Sequence, residues 1–268
     1  MKPFHYCLAL AVCVLLAATG GYVRGSDGQY TPEVGQTGKN VVWVPTPQEL
    51  VDTMLNMAQV TAADYVIDLG SGDGRLVISA AKRGATAHGI EYNPALVKFS
   101  RRAAVKEGVA ASATFANADI FESDFSQATV VTLFLLSNLN LKLRPTILAM
   151  KPGTRIVSNE FGMGDWYPDE TKVLTEGDIT WTTAHLWIVP AIVDGTWQLD
   201  DGQISFMQNF QKVTGTLTTQ GKSMDLTGKL TGDTLSFTAG GAEYTGTVSG
   251  NIISGTLAGG GSWKAARI

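Results

Sequence analysis

Cysteine is nearly absent. The two present, Cys7 and Cys13, fall in the first apolar stretch. If that stretch is removed, no thiol remains for disulfides, thiolate catalysis or Cys–zinc sites. Histidine is equally scarce: His5, His88 and His185 are scattered, which argues against a His-based metal site. Charged residues make up 16% of the chain, the net charge is -4, and no Lys/Arg run stands out. The electrostatic footprint of a DNA or RNA binder is therefore missing. What is plentiful is apolar residue, 44% of 268, enough for a substantial core.

The pattern along the chain is segmented. Residues 1–25 carry Lys2, an apolar run from Cys7 to Ala18, and small residues after it. They read as a secretory signal peptide, or else an uncleaved membrane anchor, so the protein is expected to be exported (periplasmic or secreted) or membrane-anchored. Residues 26–43, rich in Gly, Gln, Thr and Asp, read as a linker. Val44-Pro45-Thr46-Pro47 then sets up a helix, with Thr46 as its expected cap. From Asp64 to Glu160 apolar strands (65–69, 86–91, 112–116, 129–135, 154–159) alternate with helices (74–83, 94–107, 139–149). That alternation predicts an α/β parallel sheet covered on both faces, with ligands outside the carboxyl ends of its strands. A hairpin is expected at 171–190. After Pro190 the chain turns rich in Gly, Thr and Ser. About eight short alternating runs over 191–268 predict a small antiparallel β-barrel. Trp197 on its first strand and Arg267 on its last resemble, weakly, the Trp–Arg pair of calycin-like barrels.

The chemistry concentrates at residues 66–74, Val-Ile-Asp-Leu-Gly-Ser-Gly-Asp-Gly. A strand ends in an acid and a glycine turn follows, spaced G-x-G-x-G (Gly70, Gly72, Gly74) rather than the G-x-G-x-x-G of a dinucleotide site. Asp68 and Asp73 crowd the turn and would repel phosphate. They suit a cationic, hydroxyl-bearing nucleoside such as S-adenosylmethionine (SAM). In that reading Asp68 holds the ligand's amino group, Glu91 the ribose hydroxyls and Asp119 the adenine amine, with Tyr92 and Ile120 on the adenine faces. Ser71 lies within the same turn. Singly, each acid could equally be a cap, a solvated strand end or a turn residue.

Segment 44–168 resembles class I SAM-dependent methyltransferases, and more narrowly the mitochondrial-type protein lysine methyltransferases acting on an ATP synthase ring subunit and on the adenine nucleotide carrier. The matching stretches include Val44-Pro45-Thr46-Pro47, Tyr65 to Arg75, Gly89 to Pro94, Lys151 to Arg155 and Met163 to Trp166. The resemblance implies a Rossmann-like domain over 44–190, a SAM site at Thr46, Asp68, Gly70, Gly72, Glu91 and Asp119, and a protein lysine as acceptor. It covers neither the linker nor the barrel. Residues 135–140, Leu-Leu-Ser-Asn-Leu-Asn, lack the Asn/Asp-Pro-Pro-aromatic run of many amide and base methyltransferases, which counts against DNA or glutamine as substrate. Asn138, Asn140 and Glu160, at strand ends on the expected substrate side, are candidates to orient the amine, with Trp166 as a pocket wall contacting a cation. No metal is expected. The alternative is an exported, non-catalytic binding protein with a degenerate methyltransferase scaffold, because SAM is made inside cells.

Overall fold

The structure, a computed structural model, describes residues 30–175 and 180–268. The expected signal or anchor at 1–25 and the tip of the 171–190 hairpin at 176–179 lie outside the described residues. The parallel sheet forms as the alternation predicts. Its strands are β1 (Tyr65–Leu69), β2 (Thr86–Glu91), β3 (Ala113–Asn117), β4 (Val130–Leu133) and β5 (Arg155–Asn159). The hairpin β6 (Glu170–Val173) and β7 (Thr183–Ile188) extends the sheet antiparallel, in the order β3-β2-β1-β4-β5-β7-β6.

Neighbouring residues on these strands face opposite ways, so a run such as Val66-Ile67 or Val130-Val131 needs cover on both sides. Val66, Val130 and Val157 pack under α1 (Gln48–Met57), α2 (Arg75–Lys82) and α3 (Pro94–Lys106). Ile67, Val131 and Ile156 pack on the other face, with Leu139, Leu143 and Ile147 of α4 (Ser137–Leu148). The chain winds from β1 outward to β2 and β3, then returns to β4 beside β1. That reversal leaves a crevice over the carboxyl ends of β1 and β4, where doubly wound sheets bind ligands.

Two local expectations differ. Thr46 does not cap α1: Pro47 takes the cap position and no side chain caps the helix. The Thr46 hydroxyl accepts from Asn159 Nδ2 at 3.2 Å instead. The segment read as a linker is ordered over its described part. Gly35 N donates to Trp43 O, Trp43 N to Gln36 O and Gly38 N to Val41 O, a small antiparallel turn with a bridge at Thr37–Val42. Glycine and glutamine composition suggested slack; the backbone bonds and Trp43 remove it.

Residues 195–268 close into an eight-stranded antiparallel barrel: β8 (Gly195–Leu199), β9 (Gly202–Asn209), β10 (Lys212–Thr219), β11 (Lys222–Thr231), β12 (Thr234–Ala239), β13 (Ala242–Ser249), β14 (Ile252–Leu257) and β15 (Ser262–Arg267). Closure removes sheet edges that would template aggregation. Inward residues including Trp197, Ile204, Phe206, Leu217, Leu230, Leu235, Phe237 and Ile253 fill the interior. The barrel leans on the first sheet: Ala191 N donates to Gly232 O (2.8 Å), Gln211 Nε2 to Tyr167 O (2.9 Å), and Trp166 stacks on Phe210 with centroids 5.8 Å apart.

The Trp–Arg pair is formed. The Arg267 guanidinium lies 4.5 Å from the Trp197 ring centre and donates to the carbonyls of Ile192 and Asp194, each at 2.5 Å. Replacing Arg267 by Ala removes the cation–π contact and both charge-assisted hydrogen bonds. The expected loss is about 2–3 kcal/mol of stability, read as a lower urea midpoint, with the Lys variant recovering only part of it.

Candidate active site

The crevice is a cavity of about 470 Å³, a size suited to a small ligand. All nine residues expected to hold a cofactor line it: Thr46, Asp68, Gly70, Ser71, Gly72, Glu91, Tyr92, Asp119 and Ile120. The glycine turn explains how. Gly70, Gly72 and Gly74 all have positive φ (84°, 54°, 84°), so the chain reverses sharply between β1 and α2. At Gly74 a Cβ would come within 2.8 Å of the Phe115 ring and of Ser100 Cβ. At Gly72 it would strike the Trp43 indole, 2.4 Å away at Nε1.

The carboxylates differ in their surroundings. Asp68, at the end of β1, is buried, and its Oδ1 accepts from Thr132 Oγ1 at 2.7 Å. Burial pushes its pKa up to about 7, against the Thr132 hydrogen bond, with Glu91 and Asp73 adding to the rise. A raised carboxyl pKa contributes stability below the unfolded value near 3.8, and that contribution is lost as pH rises through 7. At about 1.4 kcal/mol per unit, the ionised form costs on the order of 4 kcal/mol. Glu91 is held by two amides: Gly72 N donates to Oε2 (3.0 Å) and Asn93 N to Oε1 (2.7 Å). Asp119 pairs with Lys39, whose ammonium also sits 4.7 Å from the Tyr92 ring centre. Lys39, then the Phe121 amide, hold the Asp119 carboxyl below its usual range. Lys39 comes from the ordered turn at 36–43, so this segment roofs the cavity, which composition did not reveal.

Arg75 ties the pieces together. It grips Asp73 with a fork (Nε to Oδ1, 3.0 Å; Nη2 to Oδ2, 2.6 Å) and donates to Thr46 O at 2.7 Å. Thr46 in turn meets Asn159 at the end of β5.

The four residues proposed to handle the amine are not on the cavity wall. Trp166 is 1% exposed and packed among Trp187 and Phe210 beneath the barrel, away from the lining of the cavity. Asn138 is exposed on the first turn of α4. Asn140 is buried and donates to the Phe161 carbonyl at 3.0 Å, so it shapes the loop after β5 instead of meeting a substrate. Glu160 turns toward β7, exchanging bonds with Thr183 (Glu160 N to Thr183 O, 2.8 Å). Sequence reasoning missed four aromatic residues that line the cavity: Trp43, Phe134, Phe161 and Trp181. For Phe134 and Phe161 the available signal was an aromatic residue one or two positions beyond the ends of β4 and β5.

Comparison with known proteins agrees with this geometry. Residues 68–170 match the family described as the ANTKMT methyltransferase domain. A protein-lysine N-methyltransferase of Saccharolobus islandicus is 40% identical over 153 residues, spanning 56% of this chain and 94% of that protein. A human lysine N-methyltransferase named for a subunit of ATP synthase is 36% identical over 172 residues, 63% of this chain and 72% of its own. A crystal structure from Salinibacter ruber, described as an RNA methyltransferase bound to S-adenosyl-L-homocysteine, is 47% identical. It superposes with a TM-score of 0.53, over 56% of this chain and 96% of that one. With its doubly wound sheet and acid-lined crevice, the chain is a SAM-dependent methyltransferase. It belongs to the family of protein-lysine N-methyltransferases represented by the Saccharolobus relative, of which it covers 94%. The family match ends before the barrel.

The Asp68 environment makes a direct prediction. Replacing Thr132 by Val deletes the one side-chain donor that favours the carboxylate, so the Asp68 pKa moves above 7. Carboxyl-carbon NMR titration reads this; an unmoved or lowered midpoint would show that Thr132 does not support the charge.

Proposed function

We propose that this chain methylates the ε-amine of a lysine in a protein substrate, with residues 44–190 as the catalytic domain and 191–268 as an appended barrel. The observation carrying this reading is the set of carboxylates in the crevice. Asp73 and Asp119 are paired with Arg75 and Lys39, but Asp68 and Glu91 line the same cavity with no cationic partner, so a phosphate there would meet uncompensated carboxylates. The net charge of -4 points the same way. The names of the Saccharolobus and human relatives support a lysine acceptor.

The residues present fit SAM. Asp68 is a buried carboxylate whose charge lacks a cationic partner, and the ligand's amino group supplies one. Glu91, its two oxygens fixed by backbone amides, would take the ribose hydroxyls. Asp119 would take the adenine amine, displacing or sharing Lys39, with Ile120 and Tyr92 against the base. Gly70, Ser71 and Gly72 would let the backbone approach, and Thr46 would stand at the amino-acid end, held by Arg75 and Asn159. When bound, SAM supplies an electrophilic methyl: the amine lone pair forms the C–N bond as the S–C bond breaks and its electrons go to sulfur. The protein's part is to bind, align and dry the reactants, which can supply about 7–11 kcal/mol. Crowding the amine among apolar side chains lowers its pKa from near 10.4 and helps it shed a proton to water.

The Salinibacter relative, described as an RNA methyltransferase, motivates the competing acceptor. Incubation with labelled SAM and either extracted proteins or extracted RNA separates the two. Label on lysine, located by mass spectrometry, is expected; label on nucleotides alone would overturn the lysine reading.

A further inference from the structure

The cavity has two chemically different halves. Every acidic residue lining it comes from the β1–β3 side: Asp68 at the end of β1, Asp73 after it, Glu91 at the end of β2, Asp119 after β3. The half over β4, β5 and β7 is lined by Phe134, Leu135, Leu136, Leu139, Phe161 and Trp181, with no charge among them. Three of these are aromatic and mutually adjacent. Ring centres lie 6.2 Å apart for Phe134–Phe161, 5.6 Å for Phe134–Trp181 and 5.9 Å for Phe161–Trp181. The interplanar angles of 23°, 66° and 43° make a cup and not a parallel stack.

We propose that Phe134, Phe161 and Trp181 are the cup that receives the charged end of the acceptor, an alkylammonium, an inference that rests on the lysine reading above. The topology puts the cup beside the reacting centre. Asp68 pairs in register with Thr132, and Leu69 with Leu133, so Phe134 follows directly beside the glycine turn. Phe161 is fixed by its carbonyl, which accepts from Ser158 Oγ (2.7 Å) and Asn140 Nδ2 (3.0 Å). Buried Asn140 is thus a positioning residue for Phe161. Trp181 forms the rim: it is 37% exposed and holds φ at +68°, a conformation bulky residues adopt only when their surroundings enforce it.

The chemistry favours rings over acids here. A carboxylate against the amine would hold its proton on; ring faces attract the cation while desolvating it, and so oppose deprotonation less. Rings also accept a methylated ammonium, which has fewer N–H donors, without orphaning a hydrogen-bond acceptor.

The test is calorimetric, on the full chain with S-adenosyl-L-homocysteine filling the cofactor half. Choline and its uncharged isostere 3,3-dimethylbutan-1-ol are the probes. Choline is expected to bind roughly 3- to 30-fold more tightly than the isostere. Trp181→Ala should erase that preference, and Trp181→Phe should keep part of it, with the circular dichroism spectrum unchanged. Equal binding of the two probes to a wild-type chain that does methylate lysine would overturn the cup and leave the lysine reading standing. Displacement of choline by free adenine would likewise overturn it in favour of a nucleobase. A choline preference without lysine methylation would keep the cup as a cation site and sink the lysine reading.

Discussion

The structure turns on one carboxylate kept out of water. Asp68 is buried at the tip of the central strand with a single side-chain donor, and its charge is unmatched within the protein. Burial of an ion without a partner destabilises a fold unless something binds there. The surrounding architecture keeps that position open. The turn of Gly70, Gly72 and Gly74 bends away over α2, and Glu91 is occupied by the amides of Gly72 and Asn93. A cationic ligand offsets the cost that the apo fold carries.

The rest of the molecule serves the crevice from different distances. Winding order puts β1 next to β4 and opens the cleft; α1 to α3 and α4 cover the two faces. Arg75 locks Thr46 and Asp73 across the glycine turn. The turn at 36–43 lays Trp43 on Gly72 and Lys39 on Asp119, so the roof of the cavity belongs to a segment far from the strands in sequence. The barrel stands apart from this work. Its interior is filled by its own side chains, and its contacts with the first domain include Trp166 on Phe210 and Gln211 on Tyr167.

Much of this was legible in the sequence because it is local. Apolar runs, the glycine spacing and the strand-end acids are short-range signals, and they pointed to eight of the nine expected residues that line the cavity; Thr46 came from the family resemblance. The eight barrel strands announced themselves by alternation and turns. What failed was tertiary. Trp166 looked like a wall because it follows the last parallel strand; Trp187 and the barrel's Phe210, both distant in sequence, pack against it. Asn140 looked like a substrate contact, yet it is buried and its Nδ2 donates to the Phe161 carbonyl. Phe134, Phe161 and Trp181 share no spacing; antiparallel pairing of Asn159 with Ala184 brings the last two together. Composition misjudged residues 30–43, since backbone bonds and one indole outweigh glycine content.

The most direct test of the central claim is the proton balance of SAM binding. With Asp68 at about 7 in the free protein, most molecules at pH 6 carry its proton. A ligand cation lowers that pKa, so binding should release roughly one proton and tighten as pH rises from about 5 to about 7. Calorimetry at pH 6 in two buffers of different ionisation enthalpy measures the release, and Asp68→Asn should abolish it together with most of the affinity. SAM that binds without releasing a proton, and as tightly to the Asn variant, would contradict the account.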